Sequence, residues 1–132
     1  MIFVDSSVWI DFFNGTITPE ADQLDNTLGV APICIGDIVL TEVLQGFRND
    51  ADYEIAKDLL NSLIICNVLD TPIALESADN FRSLKKKGIT VRKTIDVIIA
   101  TYCIKNSVPL LHSDKDFIPF HEHLNLQNAL AE

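Results

Sequence analysis

Four short apolar runs punctuate the chain: Ile2–Val4, Ala31–Ile35, Leu63–Leu69 and Pro109–Leu111. Each is apolar on both faces, as strands buried inside a parallel sheet are. Between them the apolar period changes. Ala56, Leu59, Leu60 and Leu63 follow an i, i+3, i+4, i+7 helical stripe, and so do Ile95, Ile98, Ile99 and Tyr102, with Cys103 extending the face. Thr18-Pro19 and Thr71-Pro72 each place an N-cap before a first-turn proline, and Gly46 and Gly88 close two helices. Strands alternating with helices predict an α/β domain with a mostly parallel central sheet between two helical layers, an α/β/α sandwich. In such sheets ligands sit in the crevice beyond the carboxyl ends of the strands, near a topological switch point.

No repeat, low-complexity tract or linker divides the sequence, so residues 1–132 are expected to form one domain, long enough to bury a core. Apolar residues make up 48% of it, which argues against disorder. No apolar run approaches the ~18 residues that span a bilayer. The opening "MIFVDSSVWIDFF" carries acids inside its apolar part and no basic leader, unlike a signal peptide. A cytoplasmic protein without a membrane role is the expectation. Cys34, Cys66 and Cys103, odd in number and widely spaced, are expected as reduced, buried thiols.

A net charge of −9 disfavours broad non-specific binding to nucleic acid, which rests on phosphate neutralisation. It leaves room for a nucleic-acid enzyme whose acids are neutralised locally by metal ions. Basic residues cluster: Arg82, Lys85, Lys86, Lys87, Arg92 and Lys93 are six of the ten, all within "RSLKKKGITVRK". That stretch reads either as a solvated helix end complementing the macrodipole before Gly88, or as a patch for phosphate or a partner.

The acids are distributed more tellingly. Asp5 follows the first strand and Asp114 the last, so parallel strands bring both to one edge of the sheet. Taken singly, each is an ordinary helix N-cap or turn residue. Asp96 sits in the first turn of the apolar helix "KTIDVIIATYCI", behind Thr94 as the expected N-cap. A carboxylate in so apolar a helix needs a partner, and no basic residue lies nearby on its helical face. Glu42 stands among Leu40, Val43 and Leu44 in "DIVLTEVLQG", where Asp37 is the expected N-cap. Asp11, Asp37, Asp70 and Asp79 read as caps or solvated faces. Acids converging on one crevice repel one another, and a hard divalent cation reverses that penalty. No Cys/His spacing suggests zinc. His121 and His123 read as a solvated loop, and His112 as a packed or hydrogen-bonded side chain.

The order of "IFVDSSVWI", "LTEVLQG", "TIDVIIATYCI" and "LLHSDKDF" resembles the four signature regions of PIN domains, most closely the VapC-type toxin ribonucleases. The resemblance runs along the whole chain and implies a PIN-like three-layer sandwich. It places the family's acids, as catalytic and metal-binding residues, on Asp5, Glu42, Asp96 and Asp114. Asp116, Ser6, Ser7 and Thr94 fall in supporting positions. Lys85, Lys86, Lys87, Arg92 and Lys93 are then placed to hold RNA backbone. The implied activity is Mg²⁺- or Mn²⁺-dependent endonucleolytic cleavage of RNA, leaving a 5′-phosphate and a 3′-hydroxyl. The implied partners are a cognate antitoxin and a second copy of the chain. Residues 48–90 support no assignment.

Other acidic α/β sites fit less well. "DKD" with an upstream glutamate is similar to a Toprim site but leaves Asp5 and Asp96 unused. A haloacid-dehalogenase site needs a second aspartate where Ser7 stands, and a receiver domain wants an acidic pair after the first strand and an aspartate after the third, where Cys66 and Asn67 occupy the run and Asp70 alone follows. A non-catalytic PIN-like binding module is the alternative of a different class.

Overall fold

The computed structural model describes residues 1–131. Four strands, β1 (Ile2–Val4), β2 (Ile33–Gly36), β3 (Ile64–Cys66) and β4 (Leu110–Leu111), form one sheet in the order β3-β2-β1-β4, every pair parallel. Helices α1 (Ser6–Asn14) and α2 (Pro19–Thr27) connect β1 to β2, and α3 (Asp37–Gln45) and α4 (Asp50–Asn61) connect β2 to β3. Helices α5 (Thr71–Lys86) and α6 (Thr94–Lys105) return the chain to β4, which lies on the far side of β1. Because crossovers are right-handed, two single steps one way and a return of three positions past β2 and β1 place α1–α4 on one face and α5–α6 on the other. The order reverses between β1 and β4, which creates the switch point. Past β4, a 3₁₀ turn (Lys115–Phe117) leads into α7 (Ile118–His123).

The core is one cluster in which Phe3, Trp9, Leu24, Ile35, Leu60, Leu84, Ile99, Leu110, Phe117 and Phe120 are fully buried. β1, β2 and β4 are buried along nearly their whole length, as their two-sided apolar runs predict. β3 departs from that expectation: only three residues of the run Leu63–Leu69 are strand, and Ile64 and Ile65 are 49% and 42% exposed. Among the described residues it is an edge strand with no neighbour beyond it. The opposite edge is covered, since β4 pairs with the C-terminal segment through Leu110 N–H to Gln127 O and Ala129 N–H to Leu110 O, 3.0 Å each.

The stripe read on α6 is also displaced. Asp96, Val97, Ile99, Ala100, Thr101 and Cys103 are its buried residues, while Ile95 is exposed and Ile98 and Tyr102 are half-buried. Squeezed between sheet and α5, this helix is apolar nearly all round, so periodicity does not mark which side turns inward. Leu63 lies beyond the end of α4.

Several caps shift by one residue. Thr18 caps α2 as expected, but Asp70 rather than Thr71 caps α5, accepting from Ile73 N–H at 2.9 Å. Gly36 and Lys93, not Asp37 and Thr94, occupy the N-cap positions of α3 and α6, and neither gives a side-chain cap. Asp37 instead accepts from its neighbour Ile38 N–H at 2.9 Å and from Val68 N–H at 3.1 Å, tying α3 to the chain beyond β3. Gly36 is required by close approach: a Cβ there would lie 2.7 Å from both Phe3 Cζ and Val68 Cγ2.

The thiols differ from expectation too. Cys34 and Cys66 form a disulfide with Cα atoms 6.4 Å apart, within the range such bridges need, and only Cys103 remains free and buried. Thirty-two residues separate the two in sequence, and the pairing of β2 with β3 is what brings them together.

Candidate active site

The two aspartates that follow β1 and β4 lie at the same edge of the sheet, near enough for the charge of Asp114 to act on Asp5. Asp5, 3% exposed, is the N-cap of α1, and its Oδ2 accepts from Ser7 N–H at 3.1 Å and Ser7 Oγ–H at 2.6 Å. Ser7 Oγ in turn accepts from Ser113 N–H at 3.2 Å, which latches the turn after β1 to the turn after β4. Asp114 caps the 3₁₀ turn, accepting from Asp116 N–H at 2.9 Å. Both aspartates therefore cap a turn and also face the crevice.

Oxygens of Asp96, Asp114 and Asp116 all lie within 4.8 Å of one another. Asp116, assigned only a supporting position from sequence, thus belongs to the tightest grouping. The i, i+2 spacing in "DKD" at the start of a 3₁₀ turn was its signal. Asp96 enters from the first turn of α6 and is 6% exposed, and its Oδ2 has no hydrogen-bond partner. Glu42 enters from α3, half-buried, with an unpartnered Oε1. It lines a groove between α1 and α3 with Ile10, Phe13 and Phe47.

The electrostatics match this crowding. Burial, followed by the charges of Asp5 and Asp114, pushes the Asp96 carboxyl up to about 7. Burial raises Asp5, against the lowering effect of the Ser7 hydrogen bonds, and burial and then Asp5 raise Glu42. Lys93 is raised above the usual lysine value by Asp96 and Asp114.

The remaining residues read from sequence divide. Ser6 opens α1 directly after Asp5, whereas Thr94 is exposed at the start of α6. Lys85, Lys86 and Lys87 are exposed at the end of α5. Arg92 and Lys93 reach the acids: Arg92 Nη2 lies 3.1 Å from Asp116 Oδ2, and Lys93 Nζ 3.6 Å from Asp114 Oδ2. His123 is exposed as expected, but His121 is half-buried in α7 and pairs with His112, Nε2 to Nε2, at 2.8 Å. Nothing in the spacing of these histidines signals that contact.

Hard oxygen donors, the orphaned buried oxygen of Asp96 and no cysteine or histidine within the grouping of Asp96, Asp114 and Asp116 fit a hard divalent cation; Asp5 and Glu42 fall outside that grouping. Among the described residues, no helix is long and apolar enough to cross a membrane.

The family model for the PIN domain matches residues 2–120. The chain is 30% identical over 131 residues to VapC ribonuclease Mb1587 of Mycobacterium bovis and, equally, to ribonuclease VapC11 of Mycobacterium tuberculosis, covering 98% of each chain. Among solved structures it is similar in fold to VapBC2 from Rickettsia felis, bound to a DNA fragment from their promoter. That match has a TM-score of 0.75 at 20% identity and covers 97% of both chains. It is also similar to VapC20 of Mycobacterium tuberculosis, a sarcin–ricin loop cleaving toxin, with a TM-score of 0.65 at 16% identity over 89% of this chain and 93% of that one. With the family model matching residues 2–120 and relatives 30% identical over nearly the whole chain, the chain belongs to the PIN domain family.

Proposed function

We propose that this chain, acting as a single domain, is a Mg²⁺- or Mn²⁺-dependent endoribonuclease and the toxin of a VapBC-like type II toxin–antitoxin pair. The observation that carries the reading is the unpartnered, buried carboxylate oxygen of Asp96, which groups with Asp114 and Asp116 and feels the charge of Asp5, with a second unpartnered oxygen on Glu42. Buried acids without partners are costly, and a hard cation between them removes the cost. Asp5, Glu42, Asp96 and Asp114 would hold it, with Asp116 alongside. When bound, the ion supplies charge that polarises a phosphodiester and makes water acidic enough to attack it.

The protein residues do the rest. Ser7 orients the Asp5 carboxylate and, through Ser113, holds the two turns in register. Arg92 and Lys93 stand at the rim of the crevice, where an RNA phosphate replaces the acids as their partner, and Lys85, Lys86 and Lys87 extend the basic surface along α5. With no cysteine or histidine grouped with Asp96, Asp114 and Asp116, and with the Ser7 hydroxyl engaged by Asp5, hydrolysis by water, leaving a 5′-phosphate and a 3′-hydroxyl, suits the site better than a covalent intermediate.

The groove of Ile10, Phe13 and Phe47 beside Glu42 offers an apolar wall next to an acid, a surface complementary to an antitoxin segment of apolar and basic residues. Such a segment would reach the catalytic acids directly. A homodimer and a cytoplasmic location complete the reading.

The test is RNA cleavage by purified protein with and without metal. Cleavage is expected with Mg²⁺ or Mn²⁺, none in EDTA, and none from a folded Asp96→Asn variant. Equal cleavage in EDTA sinks the metal mechanism. A protein that binds RNA and never cuts it under any metal is the non-catalytic module instead.

A further inference from the structure

We propose that His112 and His121 form a one-way hydrogen-bond relay that positions Asp114, through its own backbone, for the cation. The argument rests on the reading of Asp114 as a ligand and on the direction in which each hydrogen bond must run.

The turn after β4 is held at three points. Ser113 N–H donates to Ser7 Oγ, Asp116 N–H donates to Asp114 Oδ1, and Asp114 N–H donates to His112 Nδ1 at 3.2 Å. A backbone amide can only donate, so His112 Nδ1 is an acceptor and that ring carries its proton on Nε2. His112 Nε2–H then donates to His121 Nε2 at 2.8 Å. His121 is left with its proton on Nδ1, which donates to Leu126 O at 2.8 Å. All four ring nitrogens are used. The opposite polarity is impossible, because a carbonyl at one end cannot donate and an amide at the other cannot accept.

The far end is anchored. Leu126 is 4% exposed, and its N–H donates to Phe120 O at 3.2 Å. The residues that follow pair with β4, and Gln23 clamps them, its Nε2–H donating to Ala129 O at 2.6 Å and its Oε1 accepting from Ala131 N–H at 2.7 Å. His112 is also packed between Phe117 and His121, with ring centroids 4.8 and 5.1 Å away. The relay thus ties the amide of one proposed ligand to a segment fastened across the sheet edge. Groups that hold ligands in place typically change metal affinity 10–100-fold when lost.

Two measurements test this. In the wild-type protein, ¹⁵N spectra of the imidazoles are expected to show His112 as the Nε2–H tautomer and His121 as the Nδ1–H tautomer; the opposite tautomer at either ring overturns the relay. Mn²⁺ binding is then compared across two substitutions. His112→Phe keeps the ring packing and removes the acceptor, whereas His112→Asn returns an oxygen able to accept from the amide two residues on. Affinity is expected to fall about tenfold or more in the first and to recover to within about threefold in the second, with kcat for RNA changing more than KM. Wild-type affinity in His112→Phe, or no recovery in His112→Asn, overturns the positioning role alone. Wild-type protein that binds no Mn²⁺ removes the metal reading and the positioning role with it, while the tautomers still report on the relay.

Discussion

Lys93 Nζ lies 3.6 Å from Asp114 Oδ2, so the basic stretch that precedes α6 reaches into the acidic centre itself. Arg92 does the same toward Asp116 at 3.1 Å. Both side chains are exposed. They occupy the positions of counter-cations to acids that a metal would also neutralise.

Competition follows. Lys93→Ala and Arg92→Ala are expected to tighten Mn²⁺ binding by about two- to fivefold each, the scale of an exposed ion pair, and to raise KM for RNA. Calorimetric titration and cleavage kinetics measure the two effects. Unchanged Mn²⁺ affinity in the double variant would mean these pairs do not contend with the ion.

The Asp96 carboxyl sets a pH dependence. Its folded-state value, raised by burial and by Asp5 and Asp114 from 3.8 to about 7, means that the native protein keeps a proton the unfolded chain has lost. The stability this contributes is present below pH 4 and disappears as pH rises to about 7. Metal-free protein should therefore lose stability across that window, with Asp5 and Glu42 acting in the same direction, and Asp96→Asn should flatten the slope. Urea midpoints in EDTA from pH 4 to 8 report it. Mn²⁺ affinity should climb across the same window, because the ion displaces the proton.

The Cys34–Cys66 bridge closes a loop across β2 and β3. Reduction, or Cys66→Ser, is expected to lower stability by about 3–4 kcal/mol on loop-entropy grounds. Alkylation of unreduced, denatured protein should label Cys103 alone. Three labelled cysteines would show that the bridge is absent in that preparation, as a reducing cytoplasm would favour.

Gly36→Ala should destabilise by about 1–3 kcal/mol, because the added methyl meets Phe3 and Val68 in a packed core. Denaturant unfolding measures it. A neutral result would show that those two side chains give way freely.

Much of the architecture was legible in the chain. Apolar runs that do not alternate marked β1, β2 and β4 as buried, and Thr18-Pro19 marked the start of α2 to the residue. Where the reading erred, local pattern was the wrong guide. β3 looked like the buried strands because an edge strand with exposed isoleucines has the same composition. On α6, nearly every position is apolar, so only the packing of α5 and the sheet decided that Asp96 faces inward and Ile95 outward.

The site shows the same division. The resemblance of four ordered motifs to PIN signature regions is what singles out Asp5, Glu42, Asp96 and Asp114 in the sequence; Asp96 and Glu42 also stand out because a carboxylate inside an apolar helix needs a partner. Residue type and order determined an α/β chain with acids held close to its core. Tertiary structure decided the rest: that Asp116 joins the grouping, that Arg92 and Lys93 turn toward acids, that His121 faces His112, and that Cys34 meets Cys66. Most of these contacts, Cys34 with Cys66 and the basic pair with the acids past β4 among them, join residues that strand order brings together. Such contacts leave no periodic trace along the chain, because the distance that matters is measured across the sheet.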